Sequence, residues 1–212
     1  MIPVLGAPFV GKGTVVRHLA KEWPGKLAAY ELPVDIGAAR VLACRIQLSE
    51  RHVDVWCLPG GIEATWPLEL AKKCRVGVLV LDPQRDYAQR QREFVDLYIN
   101  TLDLQWCVIQ GKQDFAQGGS AATWDPIPEV LRGVPVLRYC GRASDAGSRV
   151  REFFVENDLL GSESEEGVGL DQILGPEKPI EHVSVHGIPR YQSFLLPRAE
   201  AHGSQEKSRF AG

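Results

Sequence analysis

The stretch Gly6-Ala7-Pro8-Phe9-Val10-Gly11-Lys12-Gly13-Thr14 constrains this chain more than any other. Its G-x-x-x-x-G-K spacing follows a short apolar run ending at Leu5 and precedes the helical pattern of Val15 to Glu22. A strand that turns through glycines into a helix leaves backbone N–H groups pointing into the turn, and the helix N-terminus adds positive potential there. The reading assigns Gly6, Val10, Gly11, Lys12, Gly13 and Thr14 to a loop that cradles phosphates, with Lys12 reaching the outer ones. Such loops place a Ser or Thr after the lysine to hold Mg²⁺; here that residue is Gly13, so Thr14 is left as the nearby metal hydroxyl.

Downstream, strand-like and helix-like segments take turns. Val41 to Leu48 and Val53 to Cys57 are β-rich and separated by Ser49-Glu50-Arg51-His52, the pattern of a hairpin. Val76 to Leu81 and Trp106 to Ile109 are continuous apolar runs, as expected of strands covered on both faces, and Val134 to Leu137 reads as the last strand. Tyr87 to Leu102 carries Phe94, Leu97, Tyr98 and Leu102 at helical spacing; Ser144 to Leu159 carries Val150, Phe153, Phe154 and Val155 on its expected buried side. The alternation predicts an α/β fold with a mostly parallel sheet, helices on both faces, and a ligand beyond the carboxyl ends of the strands.

At 212 residues the chain suffices for one well-buried domain, read as 1–160, followed by a tail, 161–212. The tail opens on the acidic Ser162 to Glu166 and holds scattered prolines and glycines without a sustained period; it reads as partly disordered or partner-docking, with Tyr191 to Leu196 as an apolar island. A net charge of −3 gives no sign of a broad nucleic-acid surface. The start enters the glycine loop at once, so no signal peptide is expected, and no apolar run is long enough to span a membrane. A cytoplasmic protein is expected. Cys44, Cys57, Cys74, Cys107 and Cys140 form no C-x-x-C pair, and reduced thiols are expected, with Cys57 alone placed near chemistry.

Several other residues read more simply as structure. Asp82, followed by Pro83, suits a turn. Arg85, Arg90 and Arg92 suit a solvated helix face, Trp66 and Trp124 suit packing or a partner surface, and His182 with His186 lacks a third metal ligand.

Four further segments carry a resemblance. Leu32-Pro33-Val34-Asp35-Ile36-Gly37 before the hairpin, and Cys57-Leu58-Pro59-Gly60-Gly61 at its end, resemble the MglA family of prokaryotic Ras-like small GTPases, which govern cell polarity and gliding. Gly111-Lys112-Gln113-Asp114 is similar to the N-K-x-D guanine-reading loop, and Tyr139-Cys140-Gly141-Arg142 falls where that family has its last base-contacting loop. The resemblance covers roughly Met1 to Leu159. It implies a small-GTPase P-loop fold, GTP or GDP as ligand, Gly60 at the phosphate end, and Asp114 accepting hydrogen bonds from guanine while the Lys112 stem packs on the base. It also implies a Roadblock-type protein regulator as partner.

The departures fall on the residues that do chemistry. Gly13 lacks the Mg²⁺ hydroxyl, Gly61 replaces the glutamine that orients water, Gly111 replaces the bracing asparagine, and Cys57 replaces a threonine. The simplest alignment sets Gly25 and Lys26 where the family has its arginine finger and a switch threonine. Since phosphoryl transfer rests on positioning and charge, hydrolysis is expected to be weak or absent and Mg²⁺ weakly held or absent. Two alternatives are a small nucleoside or nucleotide kinase, because Gly11-Lys12-Gly13-Thr14 is similar to the G-K-G-T of adenylate kinases, and a scaffold without nucleotide.

Overall fold

The computed structural model describes residues 1–34, 37–60, 66–84, 88–113 and 127–161. All of them belong to one unit, Met1–Pro179. Its centre is the strand β5, Val76–Leu81, apolar and buried at every position. Each Val or Leu so enclosed contributes roughly 1.5–3 kcal/mol relative to exposure. Such a strand needs a neighbour on each side and cover on both faces. Parallel pairing supplies the neighbours: β1, Ile2–Leu5, on one side and β6, Gln105–Gln110, on the other.

Seven strands form the sheet in the order β2-β3-β4-β1-β5-β6-β7. β4, His52–Cys57, runs parallel to β1, and β7, Val136–Arg138, parallel to β6. β2, Gly25–Val34, and β3, Gly37–Gln47, add two antiparallel pairings at one end. The mostly parallel α/β sheet expected from the apolar runs is therefore present. From β1 the chain crosses to β2 at the sheet edge and returns through β3 to β4 on one side of β1, then passes to β5 and β6 on the other. Right-handed crossovers then set α1, Lys12–Glu22, on one face and α2, Trp66–Ala71, and α3, Ala88–Thr101, on the opposite face. α4, Ala146–Glu156, packs against α1, and Arg151 lies over the Trp23 ring at 5.6 Å.

The segment from Trp23 to Tyr30, to which the sequence assigned no element, runs into a strand: β2 pairs along its whole length with β3, Gly25 opposite Ile46 and Val34 opposite Gly37. A ladder of that length satisfies backbone groups that a loop would leave to water. One local expectation needs correction: Val155 does not face the core; it is 59% exposed, whereas Val150, Phe153 and Phe154 are buried. The apolar stripe of α4 is thus narrower than the spacing suggests.

Among the described residues no helix is long and apolar enough to cross a membrane. Cys44, Cys74 and Cys107 are buried free thiols, each pushed up to about 11 by desolvation. The acidic stretch, the apolar island, Trp124 and the tail histidines lie outside the described residues.

Candidate functional site

The carboxyl ends of β1, β4, β5, β6 and β7 converge, and the residues that follow each strand build one site. After β1, the chain passes Gly6 at φ 139°, and a Cβ there would meet the Val80 carbonyl oxygen at 2.4 Å. Only glycine lets the loop leave the sheet so close to β5. Tyr98 from α3 stands beside this point: burial pushes its phenol up to about 12, against an opposing pull from the Gly6 backbone. Phe9, at φ 65° and 70% exposed, forms the tip of the loop. Gly11 at φ 106° then starts α1 with no side-chain cap and no acidic residue in the first turn. The first N–H groups of α1 consequently have no side-chain acceptor from the cap residue, as an anion site requires.

Lys12 is buried, and its Nζ donates to the carbonyl oxygens of Gly6 at 2.9 Å and Ala7 at 2.7 Å. Desolvation lowers its pKa to about 8, with the nearby Cys57 acting weakly in the opposite direction. Lysine and loop thus form one closed turn, charge inward. From the other side Gly60, reached after β4, packs directly on the loop: a Cβ at Gly60 would sit 2.5 Å from the Gly6 carbonyl oxygen and 2.7 Å from Pro8 N. Gly60 thus meets the loop through backbone alone.

On the far side of the loop, Val10, Gly11 and Thr14 line a cavity of about 320 Å³ together with Gly111 and Lys112 after β6 and Tyr139, Gly141 and Arg142 after β7. Three segments singled out from sequence meet here. The two distal loops are tied together, since Tyr139 N donates to the Gln110 carbonyl at 3.0 Å and Gln113 N to the Tyr139 carbonyl at 3.3 Å. A side chain at Gly111 would make ordinary contacts, 3.5 Å to the Val10 carbonyl oxygen being the shortest. Thr14, the expected metal hydroxyl, lines this cavity with its methyl toward Gly141. Asp114 and Gly61 lie outside the described residues.

Lys112 adopts φ 53°, and its Nζ donates to Asp82 Oδ2 at 2.5 Å. Asp82 is only 1% exposed. Its other oxygen accepts from Gln84 N at 2.9 Å, the turn role expected of it, while its backbone exchanges two 2.7 Å hydrogen bonds with the Gln91 side chain. The sequence reading gave Asp82 a turn and missed its second task of aiming Lys112. An aspartate at the end of a buried strand, beside a lysine at the end of the next, was the available signal.

Mg²⁺, which the fold family implies, requires several hard oxygen donors in octahedral array. The described residues offer it at most the Thr14 hydroxyl and so do not fit it. Gly13 has no hydroxyl, and Cys57 at the end of β4 offers a thiol whose pKa desolvation raises against the opposing pull of Lys12 and Arg17. On the same strand both oxygens of Asp54 are taken by Arg45, at 2.9 and 3.1 Å. No group of three or more His, Cys, Asp or Glu side chains stands together to hold a metal among the described residues. Arg17 was also missed: its Nη1 lies 3.3 Å from where a Cβ of Gly13 would be. The i, i+4 spacing on α1 would have suggested that contact.

Gly25, aligned with the family's arginine finger, sits in β2 against the partner strand, where a Cβ would meet the Arg45 carbonyl oxygen at 2.2 Å. Lys26 follows opposite Arg45 in the same ladder.

No family model matches this chain, and no curated protein does. Solved structures do. The G domain of the T. maritima FeoB iron transporter is 15% identical with a TM-score of 0.52, over 74% of this chain and 97% of that one. The cytosolic domain of the same transporter in apo form is 13% identical with a TM-score of 0.53, over 78% and 66%. In its GDP form the TM-score is 0.50 at 13% identity, over 78% and 63%. At such identities the likeness speaks for architecture, and the seven-stranded sheet with its glycine loop after β1 has the fold of a P-loop G domain.

Proposed function

We propose that this chain is a guanine-nucleotide-binding regulatory module of the MglA-like small-GTPase kind, with weak or absent GTP hydrolysis, acting through protein partners such as a Roadblock-type regulator. The observation that carries the reading is the cavity itself. A phosphate loop, a Gly111-Lys112 loop and a Tyr139–Arg142 loop line one space of about 320 Å³, the arrangement needed to hold phosphates at one end and a base at the other. A neighbour of the same fold was crystallised in a GDP form, which supports the choice of guanine. A kinase reading leaves the second and third loops without a task.

Weak hydrolysis follows from what surrounds the phosphate end. Gly25 is locked in a strand ladder and cannot carry an arginine toward the loop, Gly13 provides no metal hydroxyl, and Gly60 is in van der Waals contact with the loop backbone. Without an arginine on the γ-phosphate or a well-held metal, the transition-state charge has few partners, and losses of several powers of ten are ordinary for such deletions. A role in cell polarity is the biological reading that accompanies the MglA likeness. The test is a calorimetric titration of the nucleotide-freed chain with GDP, GTP, ADP and ATP. Guanine nucleotides should bind and adenine nucleotides should not; a preference for adenine would turn the reading toward a kinase.

A further inference from the structure

The phosphate loop of this chain has the fold's lysine but a glycine where the fold's metal hydroxyl belongs, and a second cation stands beside that gap. We propose that the guanidinium of Arg17, seated against Gly13, supplies the charge that Mg²⁺ supplies in other G domains and makes nucleotide binding metal-independent.

The inference rests on the guanine-nucleotide reading and on three observations. First, Arg17 lies one turn beyond Gly13 on α1, and its Nη1 is 3.3 Å from the position a Cβ of residue 13 would take. A serine or threonine there would press its Cβ on the guanidinium, which would have to give by a few tenths of an ångström. The missing side chain and the arginine are therefore two parts of one arrangement. Second, burial raises the pKa of Cys57, the residue ending β4, and the two cations that oppose this are Lys12 and Arg17 from the same helix. Both cations therefore act on the same end of β4, where a solvated phosphate would not carry the thiol's burial cost. Third, Arg17 is exposed and forms no ion pair with a carboxylate among the described residues. Its charge is available for a ligand.

The chemistry is suitable. A guanidinium presents a rigid fork of donors that matches two phosphate oxygens, stays protonated at any physiological pH, and sheds water more readily than an ammonium. It neutralises one charge instead of two and does not fix an octahedral geometry, so it can hold a β- or γ-phosphate without polarising it as a metal does. Slow hydrolysis and metal-independent binding then have one origin.

The experiment compares the full-length wild-type chain with Arg17→Gln and Arg17→Lys in calorimetric titrations of GDP and GTP, each with Mg²⁺ and with excess chelator. Melting temperatures verify that the exposed substitutions leave the fold intact. Wild-type affinity should change less than about threefold on chelation, and Arg17→Gln should lose at least about tenfold for GTP in both conditions, as the loss of a charge-assisted pair predicts. Arg17→Lys should recover part of that loss. A hundredfold weakening of the wild type on chelation, or GTP binding by Arg17→Gln equal to wild type, would overturn the inference while leaving guanine binding standing. Absence of guanine-nucleotide binding by the wild type under every condition would instead overturn the functional reading and this inference with it.

Discussion

At the residue scale the site turns on a few side chains whose surroundings decide their charge. Lys12 is the clearest. Burial lowers its pKa from 10.5 to about 8. Below about 8 it is charged in both the folded and unfolded chain, and the desolvation cost, roughly 3 kcal/mol, is fully present. As pH rises from about 8 toward 10.5 the folded chain sheds the proton first, so this residue makes stability increase over that window. Nucleotide phosphates act the other way, since they favour the charged lysine. Guanine-nucleotide affinity should accordingly fall as pH rises above about 8, with proton uptake on binding; titrations in two buffers of different ionisation enthalpy would detect it, and a flat affinity through that range would contradict it. Asp114 carries the base specificity in the proposed reading. Asp114→Asn should weaken GTP sharply and favour xanthosine triphosphate relatively, because the amide can donate to a 2-oxo group. Equal or tighter GTP binding by that variant would remove Asp114 from the base site.

At the element scale, legibility divided along local and non-local lines. β5 and β6 were readable because enclosure on both faces writes itself as an unbroken apolar run, and the loop after β1 because phosphate contact demands glycines at set positions. β2 was not. Gly25–Val34 contains Lys26, Glu31 and Pro33 and lacks a clean alternation; it becomes a strand because β3 offers a full ladder of partners. The Asp82–Lys112 pair was harder to read, since its members lie 30 residues apart in sequence and meet only once β5 and β6 are paired; their shared place at the ends of buried strands was the one clue. The strand at Gly25 has a consequence. Gly25→Arg, which would restore the family's arginine in the alignment, should destabilise the fold by roughly 1–3 kcal/mol through the clash with the Arg45 carbonyl, without raising hydrolysis. Gly60→Ala should similarly push into the Gly6–Pro8 backbone and impair nucleotide binding more than stability. Thermal melts alongside binding titrations would separate these effects, and a stable, faster Gly25→Arg enzyme would refute the placement.

At the scale of the whole molecule, the fold is that of a P-loop G domain, while the positions that would do chemistry in the proposed reading are glycines or a thiol. A partner of the Roadblock type should not restore turnover, because it would have to reposition an arginine and a glutamine that Gly25 and Gly61 do not provide. Single-turnover phosphate release with and without such a partner would show this; acceleration to the rate of an intact MglA-like enzyme would contradict it. The central claim is that the chain holds guanine nucleotide and scarcely hydrolyses it. The most direct measurement loads the purified full-length protein with GTP, removes free nucleotide, incubates it, then denatures it and resolves what it held by ion-exchange chromatography. The account predicts guanine nucleotide recovered mainly as the triphosphate. Recovery of no nucleotide, of adenine nucleotide after loading from a mixed pool, or of GDP alone after a brief incubation would contradict it.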